Sequence, residues 1–143
     1  MNALRSSGKK ISQLSAFACL AVVVGCSSSS SPTASQVFSL SSVNDRLPAI
    51  LSQDIGSTLE IRSGDITLEA EGRFTSRAML HITRGGKTSD SVVVSHGTYQ
   101  FVEERLELRS ESGETLTLTR TDDTLQYISL GKVFKYVRAT FQQ

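Results

Sequence analysis

From Val37 onward, apolar and polar residues alternate at period two, the pattern of half-buried β-strands. The most regular stretch is Glu114-Thr115-Leu116-Thr117-Leu118-Thr119-Arg120, with leucines on one face and threonines on the other. Arg105-Leu106-Glu107-Leu108-Arg109 repeats the pattern with charges outward, and Ser110-Glu111-Ser112-Gly113 between them is a turn cluster, so the two predict a hairpin. Thr121-Asp122-Asp123 turns into Thr124–Ile128, and Leu130-Gly131-Lys132 turns into Val133–Arg138.

Upstream, Thr58–Ile61 and Asp65–Leu68 flank Ser63-Gly64, read as a bulge in one bent strand in preference to a hairpin turn. Glu71-Gly72 turns into a strand over Arg73–Thr83, with Phe74, Ala78, Leu80 and Ile82 on one face and Arg73, Arg77 and His81 on the other. A glycine-rich turn, Arg84–Ser89, leads into Ser91–Phe101. The first strand is expected at Val37–Val43, followed by an Asn44-Asp45 turn and a short segment at Leu47–Leu51. The one helical candidate, Pro48–Gln53, is long enough for a single turn. About eight or nine short strands joined by tight turns predict an all-β fold: an antiparallel up-and-down meander closing into a small barrel, or else a β-sandwich. Closure would also hide the edges of a threonine- and valine-rich strand set.

The first part of the chain follows a different pattern. Arg5, Lys9 and Lys10 precede an apolar run from about Leu14 to Val24, then Val22-Val23-Val24-Gly25-Cys26, then Ser27 to Ser31 and Pro32. This is the order of a secretory signal. The run is about 11 residues, short of the roughly 20 that span a bilayer as a helix. Val23-Val24-Gly25-Cys26 resembles the lipobox of bacterial lipoproteins. The resemblance implies removal of residues 1–25, a diacylglyceryl thioether on Cys26 and acylation of its new α-amino group; a single acyl chain anchors only marginally, so multiple chains matter for stable anchoring. An ordinary secretory signal with a free Cys26 thiol is the alternative. Cys19 would leave with the signal, so no disulfide and no thiol chemistry is expected of the domain. With Ser27 after the cysteine, the lipoprotein analogy points to the outer membrane. Residues 26–36 read as a serine-rich tether with too little apolar surface to fold, and 37–143 as the β domain.

Removing the leader turns the formal charge from +1 to about −2. The charges that remain are interspersed, which argues against a nucleic-acid partner.

The β region resembles bacterial lipocalin-like lipoproteins over about residues 37–139. Phe38–Asn44 followed by Leu47-Pro48-Ala49 is similar to that family's first strand and its Val-Asn-Gly…Leu-Pro-Ala turn, with Asp45 in the glycine position. Ser63–Phe74 resembles its Ser-Gly-x-Leu-Thr-Leu-x-x-Asp-Gly-x-Tyr hairpin. His96-Gly97-Thr98-Tyr99 resembles a Gly-Thr-Tyr strand start, and Val133–Arg138 the closing strand. The resemblance implies a small barrel that binds an apolar ligand and carries over no catalytic residue.

Candidate chemistry is sparse. His81 and His96 flank the glycine-rich turn and could be cross-strand neighbours sharing a metal with a carboxylate, but nearby arginines would repel a cation, and no metal site or cofactor is expected. Glu103-Glu104 and Asp122-Asp123 are adjacent carboxylates at turns, unlike a pair facing each other across a cleft. No Gly-x-Ser-x-Gly elbow is present, and the expectation is a protein that is not an enzyme. Phe74, Tyr99, Phe101, Tyr127, Phe134 and Tyr136 read as core, a subset of them as cavity lining. Two functions are left: a membrane-anchored module binding a small apolar or amphipathic ligand, or a structural or protein-interaction lipoprotein of the envelope with a filled core. They differ in whether the barrel is full.

Overall fold

The computed structural model describes residues 34–140; the leader, Cys26 and most of the serine tether lie outside the described residues. Within it are nine strands: β1 Gln36–Val43, β2 Ala49–Asp54, β3 Ser57–Leu68, β4 Arg73–Arg84, β5 Lys87–Val102, β6 Arg105–Ser110, β7 Thr115–Thr121, β8 Thr124–Ser129 and β9 Lys132–Arg138. All pairings are antiparallel. Sequential hairpins run from β3 to β9, β9 pairs β1, and β1 pairs the second half of β3, closing an eight-stranded up-and-down barrel. β2 stands outside the ring on the first half of β3.

Alternation sets the two faces. Leu106 and Leu108 of β6 point inward against Leu118 and Leu116 of β7, while Glu107, Thr117 and Thr119 face out. The lower barrel, toward the β3–β4, β5–β6 and β7–β8 turns, is filled by Phe38, Leu68, Leu106, Leu118 and Leu125, each at most 1% exposed. The expected bend in β3 is present: it is one strand whose register shifts between Ile61 and Ser63. Gly64 is tightly packed there, since a Cβ would sit 3.0 Å from the Arg77 carbonyl oxygen.

Two-residue turns close most hairpins. Leu130 and Gly131 both have positive φ, as the twist-matching hairpin turn requires. Asn44 and Asp45 share that conformation, and the Asn44 side-chain oxygen accepts the Val133 N–H at 2.8 Å.

Two expectations are corrected. Pro48–Gln53 is not a helical turn: Ala49–Asp54 is a strand whose register slips between Ile50 and Ser52, and that slip breaks the period-two signal. Gly97 lies within β5, inside the expected strand Ser91–Phe101, where the β6 backbone and Phe74 come so close that no side chain fits. The first strand begins at Gln36, one residue before the expected boundary of the β domain.

Candidate functional site

Unequal strand lengths shape the candidate site. β4 has 12 residues and β5 has 16, whereas β6 to β9 have six or seven each. β5 pairs β4 from Lys87 to Thr98 but meets β6 only over Gly97–Val102. One side of the barrel mouth therefore rises as a wall of β2, β3, β4 and β5, and the other stops at the β6–β7 and β8–β9 turns.

Between them lies an open cup of about 750 Å³, within the roughly 300–1,000 Å³ typical of small-molecule sites. Its floor is the top of the core, including Ile66, Phe74, Leu108 and Phe134. The tall wall contributes Ile61, Ala78, Leu80 and Val93, and the low wall Leu116 and Tyr127. Polar groups appear as inward hydroxyls at mid-height, on the cross-strand pair Ser76 and Ser95, and as charges on the rim at Glu114 and Lys132. Leu130 projects from the rim almost fully exposed, on a backbone with positive φ that non-glycine residues seldom adopt.

The predicted aromatic set divides in two. Phe74, Tyr127, Phe134 and Tyr136 line the cup. Tyr127 stacks on Phe134 with centroids 4.6 Å apart and planes within 6°, giving the low wall a flat aromatic face. Tyr99 and Phe101 lie toward the opposite end. The Tyr99 hydroxyl donates to the Glu69 carbonyl at 2.7 Å, and the Arg120 guanidinium sits 5.1 Å from the Phe101 ring centre.

Burial pushes the Tyr136 phenol well above its usual range, with the neighbouring Tyr127 adding to the effect, and burial also raises Tyr127. The unfolded chain then releases these protons near pH ~10 while the folded one keeps them, so stability falls as pH rises above that value. Tyr136→Phe should flatten this alkaline loss, as read by urea unfolding at pH 9 to 11.

The histidines are not brought together. His81 pairs with Asp90 and His96 with Thr75, which places them six residues apart along the hairpin, about 20 Å. His81 Nδ1 is 2.6 Å from the Asp90 carboxylate, and this hydrogen bond holds that carboxyl below its usual range. His96 Nδ1 is 3.1 Å from the Thr75 hydroxyl. Among the described residues, no three of His, Cys, Asp and Glu are grouped as metal ligands would be. Glu103, Glu104, Asp122 and Asp123 are exposed on turns at the end of the barrel away from the cup. Cys26, the predicted lipid-attachment residue, lies outside the described residues.

The fold and site define a closed antiparallel β-barrel with an apolar cup at one end. Comparisons with protein-family models, with curated proteins and with solved structures find no match for this chain.

Proposed function

We propose that this chain is an exported bacterial lipoprotein with a lipocalin-like barrel that holds a small apolar or amphipathic molecule in its cup. The observation carrying this reading is the cup itself: about 750 Å³ of space, largely apolar-lined, above a floor of tightly packed core. Apolar walls with a few hydroxyls suit an uncharged body, and rim charges at Glu114 and Lys132 suit a polar end left near water. Stacked Tyr127 and Phe134 offer a flat surface to a planar or chain-like ligand.

The test is titration with an environment-sensitive apolar dye. Ala78, half-buried on the inner face of β4, has room to be enlarged into the cup. Ala78→Trp should weaken dye binding about tenfold or more, a loss of roughly 1.4 kcal/mol, with little change in unfolding midpoint. Dye binding untouched by Ala78→Trp would place the dye elsewhere and remove the support.

The anchoring part of the proposal rests on Val23-Val24-Gly25-Cys26, which lies ahead of the strands described from Gln36 to Arg138. Cleavage before Cys26 followed by acylation would leave the domain intact on a serine-rich tether, at the outer membrane by the lipoprotein analogy. Cys26→Ser should abolish incorporation of labelled palmitate in a bacterial host, whereas Cys19→Ser should leave it unchanged. Label retained by Cys26→Ser would refute lipidation at that residue.

A further inference from the structure

Polar groups are placed unevenly inside the cup. On the tall wall Ile61, Ile66, Phe74, Ala78, Leu80 and Val93 face in, and the polar side chains facing in among them are Ser76 and Ser95. Arg77, between Ser76 and Ala78, is turned outward by alternation and is exposed. Ser76 and Ser95 are half-buried and stand directly opposite each other on β4 and β5. Ser76 lies two residues above Phe74 of the floor, about 7 Å up the strand. On the outer face of the same strands the Thr75 hydroxyl and His96 are bonded at 3.1 Å, but no side-chain hydrogen bond among the described residues involves the Ser76 or Ser95 hydroxyl.

Ring order fixes what stands across the cup from them. Round the closed ring β1-β9-β8-β7-β6-β5-β4-β3, β4 and β8 are four strands apart in either direction, and so are β5 and β9. The serine pair of β4 and β5 therefore faces Tyr127 of β8 and Phe134 of β9, the stacked aromatic pair. An eight-stranded barrel is narrow enough that a ligand lying on those rings also covers the opposite wall.

Half-buried hydroxyls beside an open cup bond water until a ligand displaces it. A ligand that covers them with hydrocarbon leaves those donors unpaired, which costs more than a satisfied hydrogen bond contributes. A ligand that puts an oxygen there replaces the water bonds, and two hydroxyls match the two lone pairs of one carbonyl. Such a site rejects an analogue lacking the group more strongly than an apolar pocket rejects one of slightly different size.

We propose that Ser76 and Ser95 read an oxygen acceptor on the ligand, so that the cup selects apolar molecules with an internal carbonyl, as in a ketone, ester or amide, over plain hydrocarbons. This selection rests on the cup being a ligand site. The apolar side of the molecule lies on Tyr127 and Phe134, its carbonyl points to the serines, and a short apolar group fills the space beneath, above Phe74.

The experiment titrates the full chain carrying Cys26→Ser, so that no lipid anchor takes up the probe. Prodan is a naphthyl ketone with an ethyl group beyond its carbonyl, and diphenylhexatriene is a hydrocarbon. Adding Ser76→Ala and Ser95→Ala together should weaken Prodan about tenfold and tighten diphenylhexatriene about threefold. Bound Prodan should also emit further to the blue, because its carbonyl has lost its donors. Unchanged Prodan affinity, or both probes weakened alike, would overturn the proposal, while continued displacement of both probes by Ala78→Trp would leave the cup reading standing. A chain with intact serines that binds neither probe would overturn both.

Discussion

Gly97→Ala is expected to destabilise the barrel by about 3 kcal/mol, one of the largest effects of any single methyl group in this chain. A Cβ at Gly97 would overlap the carbonyl of Arg109 and the Cε1 atom of Phe74. Neither neighbour can yield freely. Arg109 lies within β6, in register with Thr98 on one side and Thr115 on the other. Phe74 is 4% exposed and forms part of both the core and the cup floor. The methyl must therefore part β5 from β6 at the point where β6 ends and the tall wall separates from the barrel. Thr98→Ala, next along the strand and facing water, should change stability by less than about 0.5 kcal/mol. Urea unfolding of the two variants checks the contrast, and equal midpoints would refute the close-approach argument.

The second large effect separates filled core from cup. Leu118 is 0% exposed and faces Leu106, also 0% exposed, in the lower barrel. Leu118→Ala removes three buried carbons and leaves a void that the surrounding strands cannot collapse, costing about 3 kcal/mol. Leu80 is also an inward leucine on a long strand, but one side of it borders the cup. Leu80→Ala should cost only about 1 kcal/mol, because water already reaches that side and no sealed cavity forms. Chemical denaturation gives both values directly. Equal losses would mean that the upper barrel is as full as the lower, and the cup would no longer exist in solution.

The residues that were legible in the sequence are those whose environment is local and regular. Leu106, Leu108, Leu116 and Leu118 alternate without interruption, and the turn between their strands is spelled out by Ser110–Gly113. The split of β4 into an inward face with Phe74, Ala78, Leu80 and Ile82 and an outward face with Arg77 and His81 followed from period two alone. β2 was misread because its register slip after Ile50 removes the alternation that would have marked it. The packing constraint on Gly97 was illegible because it comes from Arg109 and Phe74, 12 and 23 residues away in the chain. The cup was illegible for a related reason. It arises from the mismatch between a 16-residue β5 and a six-residue β6, a property of register and not of any segment. Of its lining, the aromatic subset was foreseen as a possibility, whereas the hydroxyl pair Ser76 and Ser95 carries no sequence signal.

The central claim is that the cup holds a molecule, and native mass spectrometry of the protein purified from its own host tests it most directly. A stoichiometric small-molecule adduct is expected on the wild-type chain, lost in Ala78→Trp while the variant remains folded. A clean ligand-free mass for the wild type, together with no saturable dye binding, would contradict it.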